Sequence, residues 1–586
     1  MTAPHRTAQR LRRALALVGV AVVVLVGFTG YQALKAKTAL ERAASDFDTL
    51  SGQLTRGDQV GARSTLAQAQ RNAGEAADNT HGLGWWLSSR LPRLGPNVEA
   101  VQVITQVADR VAHDVLPGVV AAATTLAPQN LRPVDGRINL EPIRTSAPAV
   151  VRASSQLSDE ADRIEAIDAE PLAPQIGRSV ADLQAKIGRA DNLADRASRA
   201  MRVLPGMLGA DGERRYLFMF QNNAEIRSTG GIPGAFAIIT AKDGRIALGR
   251  QDDAGSIGRF TRPPAPLTAQ EEQLFGIALG IFPQDVNFTP DFPRSAELIS
   301  AMWSANHAEP VDGVVSVDPV ALSYLLRGTG PVKAPGGRTL TAQNAVSTLL
   351  SQVYAEVPDP ARQNDFFNAA ARSVFKAATG GAGQPRAVLN NLARGASERR
   401  ILVWSARDDE QRVLAPTAIA GRLPTRASTT PEVGLYLNAA RPHKLDYYLD
   451  YEASVESTSC QGSRQHLTMR VRMHSRVPRN SGFLSDYVAP PASLFGRGTI
   501  VSTLFVFAPP GGAPTGLVVD GTPEKFDTQK LAGRVVFARS VSLKPGQTRN
   551  LTIGLVTGEG QTDPANLQVT PGVRSTGVGT VGPSAC

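Results

Sequence analysis

The densest run of chemically capable side chains is Phe220-Gln221-Asn222-Asn223-Ala224-Glu225-Ile226-Arg227-Ser228-Thr229-Gly230-Gly231. Amides, a carboxylate and a guanidinium crowd between Asn222 and Arg227, directly after an apolar strand pattern. The run ends in a diglycine whose N–H groups carry no Cβ to hold a ligand away. Arg250-Gln251-Asp252-Asp253 follows the next pair of strand patterns, which places its charges at the same sheet end. Such a set suits binding of an oxyanion. The bland alternative is a solvated loop with an internal Glu225–Arg227 ion pair and turn glycines. Other catalytic signatures are missing. The GxGxxG at Gly577, Gly579 and Gly582 has no following helix to offer a pyrophosphate. There is no Gly-Lys-Ser/Thr phosphate loop and no GxSxG elbow. Only His307, His443, His466 and His474 lie beyond residue 113, which leaves a Ser-His-Asp triad unsupported.

Residues 212–375 resemble the bacterial envelope family known as domain of unknown function 4012. The resemblance is carried by YLFMFQNNAEIRSTGGIPGAF, then NFTPDFPRSAELISAMW, then VDGVVSVDPVALSYLLRGTGPV. That family is membrane-anchored and has no agreed activity, so the resemblance implies topology more than chemistry. More distantly, a strand, an arginine loop, a hairpin, an Arg-x-Asp and an Asp-x-x-Arg helix are similar to the layout of the LytR-CpsA-Psr (LCP) glycopolymer transferases. That likeness implies pyrophosphate-binding roles for Arg227, Arg250 and Arg362, and a magnesium ion on Asp252. Arginine suits such work because its planar fork forms bidentate bonds to phosphate, and Mg2+ would neutralise leaving-group charge. The sequence departs from the transferase pattern at Asn222-Asn223, where an acid is usual, and has one arginine, Arg362, where several are usual. Asparagine cannot supply a carboxylate's charge, so a related fold with an altered site is expected.

The elements that must position these residues can be read from periodicity. Residues 35–205 carry helical stripes. The cleanest is Val180, Leu183, Ile187, Ala190, Ala194, Ala197, Met201, Leu204, ended by Pro205-Gly206. A helical stalk or bundle is expected there, with Trp85-Trp86 capping it or dipping into a lipid interface. From 212 to 425, strands at Tyr216–Phe220, Ala235–Thr240 and Val314–Val317 alternate with helical stretches, which predicts an α/β (LCP-like) domain with its core at 212–375. From 431 to 586, alternating runs such as Tyr447-Leu449-Tyr451-Ala453-Val455 predict a β-sandwich.

Ala14 to Leu34 contains no charge and follows Arg6, Arg10, Arg12 and Arg13. A stretch of about 20 apolar residues spans a bilayer core, so 14–34 is expected to be a transmembrane helix. The positive-inside rule then makes 1–13 a cytoplasmic tail and the bulk extracytoplasmic. Cys460 and Cys586, the only two cysteines, form a disulfide or remain as two unrelated thiols. The formal charge of +10 rests on 52 arginines and 10 lysines without a basic stripe, which excludes a nucleic-acid binder. The resulting expectation is a single-pass plasma-membrane envelope protein that binds or organises a cell-wall glycopolymer or a polyprenyl-linked glycan. Its candidate site is Asn222, Asn223, Glu225, Arg227, Arg250, Asp252 and Arg362, with a metal only at Asp252. The alternative is an LCP-like transferase moving a glycopolymer from polyprenyl pyrophosphate to the wall.

Overall fold

The computed structural model describes the backbone of residues 5–92, 94–491 and 495–586, and their side chains apart from residues 5–23, 26 and 55. The chain forms two compact units. One holds the chain up to Leu131 together with Asn139–Pro205; the other holds Arg132–Ile138 and Gly206–Cys586.

The first unit is helical, with long helices at His5–Arg56, Gln59–Asp78, Gly95–Arg110, Glu141–Glu165 and Pro174–Met207. The last of these runs through Pro205 rather than stopping there. Small residues carry the seams: Ala43, Ala73 and Ala112 are buried together, as are Leu50, Ala62 and Val120, so the helices approach closely. Trp85 is fully buried, while Trp86 is half exposed beneath the guanidinium of Arg90, 3.6 Å from its ring centre.

The expected membrane span is not supported. Among the described residues no helix is long and apolar enough to cross a membrane. Residues 14–23 and 26 of that stretch lie outside the described side chains. Part of the described remainder touches protein: Thr29 Oγ1 and Ser88 Oγ share a buried hydrogen bond of 2.9 Å, and Gly84 lies near Phe28 and Leu25, while Val24, Phe28, Tyr31 and Leu34 are largely exposed. The same helix then turns to Lys35, Lys37, Glu41 and Arg42. The readings built on the anchor fall with it. These are the fold class with a transmembrane helix, the plasma-membrane location with a cytoplasmic N-terminus, and the membrane and cell-wall glycan partners. The envelope glycan-binding role and the glycopolymer-transferase alternative fall too.

The second unit combines α/β and β-rich layers. Its first sheet contains β1 (Arg214–Asn222), β2 (Ile232–Lys242), β3 (Arg245–Asp253), β4 (Gly313–Val317) and β5 (Ile401–Ser405), in the order β3-β2-β1-β4-β5. Only the β1/β4 pair is parallel. The β2–β3 hairpin turns on Asp243 and Gly244, both at positive φ (48° and 77°), the twist-matched turn that an Asp-Gly pair favours. Period-two alternation aims Leu217 and Met219 at the helix Phe292–His307, where they meet Phe292, Ile299 and Trp303. On the other face, Phe220 and Val317 look toward the helices Pro319–Thr329 and Pro360–Thr379.

The strands after residue 430 make two facing sheets. One contains Ala513–Val519, Thr548–Val556, Arg464–Ser475 and Leu449–Gln461 side by side; the other contains Arg534–Leu543, Ile500–Phe507, Glu432–Ala439 and Asn566–Val569. Alternate residues from both sheets fill one core, among them Leu435, Leu437, Met469, Val471, Leu504 and Ile553. Cys460 and Cys586 are joined by a disulfide that closes 126 residues. The GxGxxG glycines have a structural use here: a Cβ on Gly577 would sit 2.4 Å from Glu398 O, and one on Gly579 would sit 2.3 Å from Leu567.

Candidate ligand-binding site

The Asn222–Gly231 loop leaves β1 and plugs into the β-rich layers. The Ile226 side chain belongs to the sandwich core. Its carbonyl accepts from Ala439 N (2.9 Å), and its N–H donates to Asp446 Oδ2 (2.9 Å). Asn438 Oδ1 accepts from Ser228 N (2.8 Å), and Thr570 Oγ1 donates to Ser228 O (2.9 Å). The diglycine serves the loop itself: Gly231 N donates to Gln221 Oε1 (2.7 Å) and Gly230 N to Arg227 O (2.7 Å). A Cβ on Gly231 would lie 2.3 Å from the Asn222 carbonyl carbon, so only glycine fits that crossing.

A buried charge network surrounds the loop. Lys444 Nζ lies 2.6 Å from Glu225 Oε2, with both side chains at most 10% exposed. Arg227 sits 3.5 Å from Glu225 and 3.3 Å from Asp285, with its guanidinium over the Phe288 ring at 4.7 Å. Burial pulls the Lys444 ammonium down, but Glu225, Tyr354 and Tyr487 outweigh it and its pKa is raised. Burial raises the Asp285 and Asp446 carboxyls despite the neighbouring Arg227 and His443 respectively. Burial also pushes the Tyr354 phenol up to about 12. Each cation in the network therefore already faces an anion, and little uncompensated charge remains.

Beside this network, at the carboxyl ends of the parallel strands β1 and β4, lies a cavity of about 590 Å³, the place where open α/β sheets characteristically receive ligands. Phe220, Val317, Leu322, Leu349, Leu350 and Phe367 give it a mainly apolar wall. One end is polar, formed by Asn222, Glu225, Tyr354, His443, Lys444 and Tyr487. Asn222 Nδ2 donates to Tyr354 Oη (2.6 Å), and Lys444 Nζ lies 5.7 and 5.3 Å from the Tyr354 and Tyr487 ring centres. His443 Nδ1 lies 3.2 Å from Leu445 N and 3.9 Å from Asp446 Oδ2, and both the His443 and Asp446 side chains are fully buried. His443 Nε2 is likewise buried and has no hydrogen-bond partner among the described residues.

The structure brings only some of the expected site residues to this cavity. Asn222 and Glu225 line it. Asn223 is fully buried, donating to Asp318 Oδ2 (3.2 Å) and Pro571 O (3.3 Å). Arg227 is enclosed by its acids and is not part of the wall. Arg250 is half exposed and lies 3.6 Å from Asp252. Arg362 is 80% exposed on a separate hollow, 3.7 Å from Asp359. The three arginines therefore do not converge at the mouth of the cavity. The residues do not fit a magnesium site. Asp252 is engaged by His307 Nε2 (3.2 Å) and Ser256 Oγ (3.3 Å), and no group of three or more His, Cys, Asp or Glu among the described residues could hold a metal ion.

The β1 strand, its loop, β4 and the helical wall as far as Tyr354 match a single family model, described as protein of unknown function (DUF4012). A DUF4012-family domain is present over residues 211–354. It supplies Phe220, Asn222, Glu225, Val317, Leu349 and Tyr354, while His443, Lys444 and Tyr487 come from outside it. The cavity is thus closed onto the DUF4012 domain by the β-rich layers. No curated protein and no solved structure matches the chain. Sequence reasoning missed His443, Lys444, Asp446 and Tyr354. The available signal was HKLDYY, the one place where a histidine, a lysine and an acid fall together in an otherwise strand-rich region.

Proposed function

We propose that the chain is a binding protein for a small molecule with a mainly apolar body and a neutral, hydrogen-bond-accepting end. The carrying observation is the mainly apolar cavity of about 590 Å³ at the carboxyl ends of β1 and β4, with a few polar side chains in its lining. Ligand pockets of roughly 300–1,000 Å³ with a few placed polar groups are typical of small-molecule sites. Asn222 and Glu225 are proposed as the ligand-facing residues of the original candidate set, joined by Lys444 and Tyr487. Internal charge compensation favours a carbonyl or ether over a phosphate. The test is displacement of the fluorescent probe N-phenyl-1-naphthylamine by 2-dodecanone and by dodecyl phosphate. The ketone is expected to displace at lower concentration than the phosphate, and Leu322→Trp, which fills the cavity from its half-buried wall, should weaken probe binding by about tenfold or more. Non-saturable probe fluorescence, or the phosphate displacing better than the ketone, would overturn the reading.

A further inference from the structure

A second hollow of about 430 Å³ has a different character. It is bordered by the turn at Ser397–Arg399, the loop from Ala415 to Ser428, and the strand edges at Glu432 and Asn566–Gln568. Its wall is polar and carries three arginines, Arg399, Arg422 and Arg426, against one carboxylate, Glu432.

Arg399 is 8% exposed, yet its side chain has no hydrogen bond or ion pair among the described residues. Its two sequence neighbours, Glu398 and Arg400, are paired with each other at 2.9 Å, and Arg400 also holds Asp318 at 2.7 Å. Glu432 makes no ion pair with it; the Glu432 carboxylate oxygens accept from Asn566 Nδ2 (3.2 and 3.1 Å). Burial raises the Asp291 carboxyl and nearby Arg422 only partly offsets this, while Asp291 Oδ1 accepts from Leu423 N at 2.8 Å. Arg422 and Arg426 are exposed, and neither has an ion pair among the described residues. Arg399 also holds φ at 58°, a left-handed conformation that a long side chain rarely adopts.

The Arg399 guanidinium nitrogens are not among the buried unpartnered polar atoms, so they stay open to an incoming acceptor. Three forks against a single lining carboxylate, Glu432, leave a local excess of positive charge on this polar hollow. We infer that this hollow binds a phosphate-bearing small molecule, with Arg399 as the buried anchor and Arg422 and Arg426 closing over the oxyanion from the exposed side. Arginine's planar fork matches the oxygens of a phosphate in bidentate fashion. The volume exceeds what inorganic phosphate needs, which leaves room for a body of about hexose size. The site is independent of the apolar cavity and shares none of its lining residues.

Titration calorimetry of the full chain with glucose 6-phosphate, inorganic phosphate and glucose tests this. Glucose 6-phosphate is expected to bind with Kd of about 1 mM or tighter, inorganic phosphate more weakly, and glucose not at all. Arg399→Met should weaken glucose 6-phosphate binding by about tenfold or more. Arg422→Gln, a change at an exposed position that leaves the fold intact, should weaken it by about threefold and flatten its salt dependence. Absence of binding by either phosphate would overturn the inference. So would Arg422→Gln and Arg426→Gln both binding like the parent chain, whatever the folding of the Arg399 variant. Loss of 2-dodecanone binding with glucose 6-phosphate binding intact would count against the apolar cavity alone.

Discussion

Replacing Lys444 by methionine removes one partner of the buried pair and leaves Glu225, 6% exposed at its side chain, without its 2.6 Å partner. Breaking a buried ion pair from one side costs about 3–5 kcal/mol, because the other charge stays buried. Arg227 remains 3.5 Å from Glu225 but is shared with Asp285, so the lower end, about 3 kcal/mol, is expected. The unit Gly206–Cys586 holds about 380 residues, whose unfolding entropy near Tm is about 0.8 kcal/mol/K; the loss therefore corresponds to about 4 °C. Glu225→Gln alone strands the lysine and should cost a similar amount. The double variant strands neither charge and should recover most of the loss, giving a coupling of about 2 kcal/mol or more. The pH dependence follows from the raised Lys444 pKa. Its contribution is fully present below the ordinary lysine range and is lost only as pH rises through the higher folded value. Thermal unfolding followed by circular dichroism should therefore show a constant gap between Lys444→Met and the parent from neutral pH to about pH 9, closing only in stronger alkali. Single-variant losses that add within about 0.5 kcal/mol would refute the pairing as a coupled, desolvated unit.

Two further expectations concern the same unit. Cys460→Ser opens a closure of 126 residues and should destabilise the oxidised chain by about 5 kcal/mol in the loop-entropy account; identical urea midpoints for the parent with and without reductant would contradict it. Asp446→Asn keeps an acceptor for the Ile226 N–H while removing a buried carboxylate whose pKa burial has raised. A raised acid favours the folded state below the ordinary carboxylate range and loses that contribution as pH rises through the folded value, so the variant should be more stable than the parent at pH 8, with the gap closing toward pH 4. A gap that widens on acidification would mean the sign is wrong.

The parts of this fold that could be read from sequence are those governed by neighbours in the chain. The Asp243-Gly244 turn follows from two adjacent residues that accept positive φ, the strand at Val314–Val317 from a short apolar run, and the strand at Leu449–Gln461 from the alternation of Leu449, Tyr451, Ala453 and Val455, which are all buried. The site was only partly legible, because what decides it acts across hundreds of residues. Glu225 and Lys444 are 219 positions apart, and Asn223 meets Pro571 across 348. The crowding of polar residues in Gln221–Gly231 suits a cradle for an anion or a loop with an internal ion pair, and the same residue types satisfy a third demand equally well. A loop driven into the side of a β-sandwich must find partners for every buried N–H and C=O it carries. Ala439, Asn438, Asp446 and Thr570 meet the backbone of Ile226 and Ser228, and the side chains of Asn222, Asn223 and Glu225 are tied to Tyr354, Asp318 and Lys444. An amide-rich motif ending in two glycines is therefore as good a signature of a polar plug as of a ligand cradle. Exposure separates the two, and it sets only Asn222 apart: that residue is half-buried on the cavity wall, while Asn223, Glu225, Arg227 and Ser228 are buried in the joint.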